Sequence, residues 1–360
     1  MAWQPLQTSR LPDFVYNWSR PGVDRTRVSL PYTGGKWTLI TRQRLETPVV
    51  YFYSSDPQTV DVDVTFDQGW ITEWFPRADS VTRSGTKSLI HWPNLRIAPF
   101  GREAEALTHP ATTGDHYFAA RATDSDVVKT KDEAEKFLFY RGAGNFDTPL
   151  RVTMKSDFSI TLANTGTEAI SELLVFQTDE HAGNFISVAD LKPGEERTVA
   201  APRTGKRWFP AGDELAGAVG KKMAGALVKA GLYPREAEAM VNTWDDSWFR
   251  ENGLRVFYLL PRPWTDRVLP MTLKPAPSDL VRVMVGRAEV LAPGQEQELI
   301  SQLMAARQGD KPALAQARLM LKGLGRFSDP ALRRAVEDAQ LQPEEQSKVV
   351  ALIYQTPTFE

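Results

Sequence analysis

The densest set of side chains able to do chemistry is Trp244-Asp245-Asp246-Ser247-Trp248-Phe249-Arg250-Glu251. Rings beside carboxylates are the equipment of glycan hydrolysis, in which two acids flank the scissile bond at roughly 5–10 Å. Asp245, Asp246 and Glu251 are therefore candidate acids, and His116, where a loop meets a strand-like run, is a candidate general base. Helical phase points the other way. At about 100° per residue, Trp244 and Trp248 share a stripe with Met240 and Val241, whereas Asp246 points to the opposite side and pairs with Arg250 one turn on. The favoured expectation is structural, with the rings packing and the acids in water.

The ten Trp, 17 Phe and nine Tyr invite a carbohydrate-binding reading, since flat rings stack on sugars, but most lie in strand or helix stripes that belong to a core. Trp208, before Phe209-Pro210, and Trp264, between Pro263 and Thr265, stand outside such stripes and are candidate binding residues together with Trp248. His91, His109, His116 and His181 are too far apart in sequence to form a local metal pair, so no metal site is expected. Arg141-Gly142-Ala143-Gly144 follows a strand-like run but lacks the third glycine, the helix and the ribose-binding acid of a dinucleotide site. It is expected to be a strand-ending turn, and no cofactor is expected. Leu30-Pro31-Tyr32-Thr33-Gly34 fits a sortase pattern but stands near the N-terminus, without the apolar segment and basic tail that such a signal precedes.

With no Cys among 360 residues, the chain has no thiol nucleophile, Cys-ligated zinc or disulfide. Its length sets an expectation of two or three domains with sizeable cores. The net charge of −2 combines a basic lead-in over residues 1–50, an acidic stretch over 51–205 and a near-neutral remainder. No segment clusters Lys and Arg as a nucleic-acid footprint does, and no apolar run is long enough for a membrane span. Met1-Ala2-Trp3-Gln4-Pro5 has no basic segment leading into an apolar one, so either there is no cleaved signal or the chain is a mature form.

The positioning elements follow from periodicity. Residues 1–45 read as an extended lead-in with one or two strands. Val49–Tyr53 reads as a buried strand, and Val60, Val62, Val64 and Phe66 alternate with polar residues. Asp67-Gln68-Gly69 then turns the chain into Trp70–Phe75, which predicts an antiparallel meander. Further strands are expected at 88–92, 116–122, 136–141, 151–155, 159–162, 172–178 and 197–200. Residues 101–115 read as a long loop. After Pro210 the period becomes helical. Leu215, Val219, Met223 and Ala226 form one stripe over 213–229 and Gly231 ends it, then Pro234 opens a second helix carrying the Trp244–Glu251 cluster. Residues 254–260 read as a buried strand, and 280–291 fits strand or helix. Four helices are expected at 295–307, 312–322, 330–339 and 344–354.

Residues 150–201 resemble a bacterial immunoglobulin-like, cell-adhesion-related β-sandwich module. The resemblance is carried by Phe158–Gly166, by Ile170 and Leu174-Val175-Phe176, and by Asp190-Leu191-Lys192-Pro193-Gly194-Glu195-Glu196-Arg197-Thr198-Val199. Asn164-Thr165-Gly166 reads as a turn with a positive-φ position, and Leu191-Lys192-Pro193-Gly194-Glu195 reads as a turn from one strand into the next. The resemblance implies a structural or binding module of exported or cell-surface proteins, with no catalytic residues to carry over.

The fold expected is α+β and multidomain. An antiparallel β domain with its lead-in spans 1–147, an Ig-like sandwich 148–205, a helical hairpin with a mixed segment 206–292, and an all-helical tail 293–360. The function expected is non-catalytic binding or assembly in the bacterial envelope or extracellular space, with a protein or glycan partner and oligomerisation through the tail. A glycan or peptide hydrolase using the 244–251 acids in an interdomain cleft is the alternative.

Overall fold

Two sheets built mainly from residues 16–144 share one apolar filling. The computed structural model describes residues 11–17, 43–45, 49–108, 116–144, 146–202, 208–324 and 328–354. The Leu30–Gly34 pattern, His109 and most of the lead-in lie outside the described residues. The first strands are β1 (Tyr16–Asn17), β2 (Gln43–Leu45), β3 (Val49–Val50), β4 (Gln58–Phe66), β5 (Gly69–Phe75), β6 (Ser80–Ser84) and β7 (Lys87–Ala98). Helix α1 (Arg102–Thr108), a 3₁₀ turn at His116–Arg121, β8 (Val127–Lys129), β9 (Ala134–Glu135) and β10 (Leu138–Gly144) follow. One sheet runs β1-β5-β10-β2, with β3 also on β10. The second joins β4, β7, β8 and β9, with β6 on β7. Val62, Val64, Ile90 and Trp92 of the second sheet meet Ile71, Trp74, Leu138 and Tyr140 of the first.

Several expectations are corrected here. Asp67-Gln68-Gly69 does not make a meander, because β4 pairs with β7 whereas β5 pairs with β10; the turn moves the chain from one sheet to the other. Residues 116–122 are a 3₁₀ turn rather than a strand, with Tyr117, Ala120 and Arg121 buried at helical spacing. The expected loop 101–115 begins with α1. Only Val49 and Val50 of 49–53 enter a sheet, against Phe139 and Leu138. Arg141–Gly144 is strand, not turn. There Gly69, Gly142 and Gly144 lie under the ring of Phe66, so close that a Cβ on Gly144 would fall 2.4 Å from the ring.

The second unit begins with β11 (Leu150–Met154), β12 (Ser159–Asn164), β13 (Ser171–Thr178), β14 (Ala182–Val188), β15 (Glu196–Ala200) and β16 (Phe209–Pro210). The hairpin α2 (Asp213–Lys229) and α3 (Pro234–Asp245) follows, and α3 runs into a π turn at Asp246–Arg250. Then come β17 (Gly253–Leu259), α4 (Arg262–Val268), β18 (Met271–Lys274) and β19 (Val285–Val290). A three-stranded sheet, β11-β12-β15, and a five-stranded one, β16-β14-β13-β17-β19, share a core of Val152, Ile160, Leu162, Val175, Val256 and Tyr258. Successive residues of β13 face opposite ways, so Leu174 and Phe176 meet the hairpin instead, through Val219, Met223, Val241 and Phe249. Strands β13 and β14 thus share their sheet with β17 and β19, which follow the hairpin. Gly194 has the positive φ that its turn requires (73°), whereas Gly166 is not a positive-φ residue; its N–H donates to Asn164 Oδ1 at 2.9 Å.

Strand β18 leaves this unit altogether. It pairs antiparallel with β4, Met271 opposite Val64 and Lys274 opposite Asp61, and so becomes the edge of the other unit's sheet. The chain then returns through Pro275–Met284 to β19, which resolves the open assignment of 280–291 as a strand at Val285–Val290 preceded by extended chain. The tail has the four helices expected of it: α5 (Pro293–Arg307), α6 (Lys311–Gly323), α7 (Ser328–Asp338) and α8 (Pro343–Tyr354) enclose Leu299, Leu303, Leu321, Leu332, Val349 and Ile353. Leu319 stays exposed. No helix among the described residues is long and apolar enough to cross a membrane.

The Phe66 contact generates a test. Gly144→Ala should lower stability by about 1–3 kcal/mol, the range for overpacking a filled site. Urea unfolding followed by circular dichroism measures this, and an unchanged midpoint would contradict the close approach.

Candidate functional site

Strand β18 and the chain that returns from it close a cavity of about 590 Å³ between the two units. One wall is Val49–Tyr53. The stripe Glu236-Met240-Trp244-Trp248, four residues apart along α3 and its π turn, forms another. Met271, Leu273 and the returning Pro275–Gly286 stretch cross it, and Phe146, Tyr258, Leu260 and Trp264 lie behind.

Tyr51, Phe52 and Tyr53 leave the strand because their groups have separate partners. Tyr51 donates to Ala120 O at 2.7 Å, Phe52 O accepts from Asp126 N at 2.9 Å, and Tyr53 donates to Glu236 Oε1 at 3.0 Å. Glu236 sits in the first turn of α3, and its other oxygen accepts from Tyr233 N at 2.8 Å. A carboxylate there completes a free N–H and favours the helix dipole. Burial raises its pKa above the usual carboxylate range, although these two hydrogen bonds pull the other way. Burial, reinforced by Glu236 and Glu135, likewise pushes the Tyr51 hydroxyl well up. Both polar groups line the cavity.

The other end of the stripe is pinned by two arginines. Buried Arg255 donates to Trp248 O at 3.0 Å, Glu251 O at 2.8 Å and Asn252 O at 3.0 Å, and pairs with Glu289 at 3.2 Å. Arg287 donates to Ser247 O and pairs with Glu289 and Glu251. Cations at the closing carbonyls of a helix are favourable, and these two hold Trp248 at the cavity wall. Burial lowers the Arg287 pKa to about 10, leaving it a cation at neutral pH.

The residues singled out by sequence separate into two groups. Trp248 and Trp264 are buried and line the cavity; Trp264 meets Phe146 edge-on at 5.5 Å, and Trp248 stacks near Trp244 at 6.4 Å. Trp208 is 41% exposed, before β16. His116 reaches α3, its ring 5.4 Å from Trp244. Neither His116 nor the acids line the cavity. Asp245 pairs with Arg250, which also holds Asp213 at 2.7 Å; Asp246 is almost wholly exposed, and Glu251 pairs with Arg287. Among the described residues no cluster suits a metal ion.

Glu236, Tyr51, Tyr53 and the returning strand carry little signal in the sequence. Pro234 as first helical residue with an acid two places on is the available mark of Glu236. The pairing of β18 with β4 spans about 200 residues of sequence and has no local mark. No family model matches the chain, and no curated protein or solved structure matches it either.

The raised Glu236 pKa fixes a pH dependence. Between the ordinary carboxylate value and the raised one, the folded chain keeps a proton that the unfolded chain has lost. Stability contributed by this group therefore falls as pH rises through that window. Glu236→Gln keeps an N-terminal side-chain acceptor but cannot titrate, so its stability relative to the parent should increase from pH 4 to pH 8. The increase is ~1.4 kcal/mol for every tenfold by which burial weakens the acid. Urea unfolding of both proteins across that range measures the difference; a pH-independent difference would contradict the buried carboxyl.

Proposed function

We propose that this protein binds a small, largely apolar ligand in the cavity between its two β units, without chemistry on it. The observation that carries this reading is the cavity itself: its volume of about 590 Å³ falls in the range typical of small-molecule sites, and its walls combine rings, methionines and aliphatic chains with polar and charged side chains.

Binding rather than hydrolysis is favoured by the placement of the acids. Asp245 and Glu251 are held by arginines, and neither they nor Asp246 face the cavity. The rings that accompany them in sequence do face it, so the aromatic half of the sugar-site pattern has a binding role and the acidic half anchors the helix end.

N-phenyl-1-naphthylamine, a neutral dye that brightens in apolar surroundings, should bind with a Kd on the order of 1–10 μM, about −7 to −8 kcal/mol. Met240→Trp places a larger ring on the α3 stripe and should weaken the dye at least roughly tenfold with the circular dichroism unchanged. No brightening with the parent protein, or equal affinity in a natively folded Met240→Trp protein, would overturn the reading.

A further inference from the structure

The cavity is not electrically even. Two cations line it, and both are already neutralised: Arg282 is held by Asp266 at 2.6 Å and donates to Leu269 O at 2.7 Å, while Arg287 is held by Glu289 and Glu251. Of the two lining carboxylates, Asp279 is exposed to solvent. Glu236 is buried, 9% exposed, and its partners among the described residues are a phenol hydroxyl and a backbone N–H, neither of them a cation. A buried carboxyl with no counter-ion is a costly arrangement that a ligand of opposite charge would relieve.

What surrounds it narrows the ligand further. The rings of Tyr53 and Tyr233 stand edge-to-face 4.9 Å apart beside the carboxylate, and ring faces next to an acid attract ammonium groups. From Glu236 the α3 stripe continues through Met240, Trp244 and Trp248 with no further charge. We propose that the ligand is an amphipathic amine, its ammonium group on the Glu236 carboxylate beside Tyr53 and Tyr233 and its apolar body along Met240, Trp244 and Trp248. This presupposes the cavity reading above and adds the chemical class of the occupant. Binding would also favour the charged carboxylate over the protonated form that burial favours, so the amine should bind with a net release of a proton where Glu236 is neutral.

Three ten-carbon probes separate charge from apolar burial: decylamine, decanol and decanoate, each displacing N-phenyl-1-naphthylamine from the intact protein at pH 7. Decylamine should displace the dye at a concentration at least about tenfold lower than decanol, with decanoate weakest. In Glu236→Gln, which retains the helix-start hydrogen bond, decylamine and decanol should become equal. A purely helix-capping role for Glu236 predicts no such convergence. Equal displacement by amine and alcohol in the parent, or an amine preference that survives in Glu236→Gln, overturns the inference while dye binding leaves the cavity reading standing. Failure of the dye and all three probes to bind would overturn both.

Discussion

One strand pairing sets the rest of the architecture. Met271–Lys274 crosses from the second unit to hydrogen-bond along Gln58–Phe66 of the first, and the chain then comes back to Val285–Val290. Without that crossing the two cores would meet at an open cleft. With it, the first unit's sheet gains an edge strand and Met271 and Leu273 pack against its core. The ten residues from Pro275 to Met284 become a wall of the cavity. The pairing also covers part of the nine-residue β4 and leaves the four-residue β18 as the shorter sheet edge.

Everything that shapes the cavity is then a matter of satisfying groups that this closure takes out of water. Arg255 and Arg287 supply donors to the carbonyls at the end of the α3 helix and are themselves neutralised by Glu289 and Glu251. Breaking such a buried pair by removing one partner costs roughly 3–5 kcal/mol, which makes the position of Trp248 a rigid one. At the helix start the balance is incomplete. Glu236 has hydrogen bonds but, among the described residues, no opposing charge. Rigid rings at one end and an uncompensated acid at the other give the site direction.

Local periodicity makes much of this legible. The stripe Leu215, Val219, Met223 and Ala226 predicts α2 with the bounds it has, and Pro312, Pro330 and Pro343 each fall in the first turns of tail helices. The alternation of Val60 to Phe66 is likewise a strand with one face buried. Pairing partners are not legible, because β4 and β5 are adjacent in sequence yet belong to different sheets, and β4 meets β18 only across most of the chain. Gly142 and Gly144 resemble a turn because glycine's need for space under a ring leaves the same residue in the sequence as its need for a turn. The same limit hides the site. Trp248 and Trp264 stand out in the sequence, but Tyr51, Tyr53 and Glu236 become neighbours only when the units close, and the acids that draw attention are those the arginines hold.

The most direct test is the position of a heavy atom. A crystal of the protein grown with a ten-carbon ω-bromoalkylamine should show an anomalous bromine peak inside the cavity, against Trp244 and Trp248, with the amine end at Glu236. A peak at the surface, or a cavity that stays free of the probe at saturating concentration, would contradict the account.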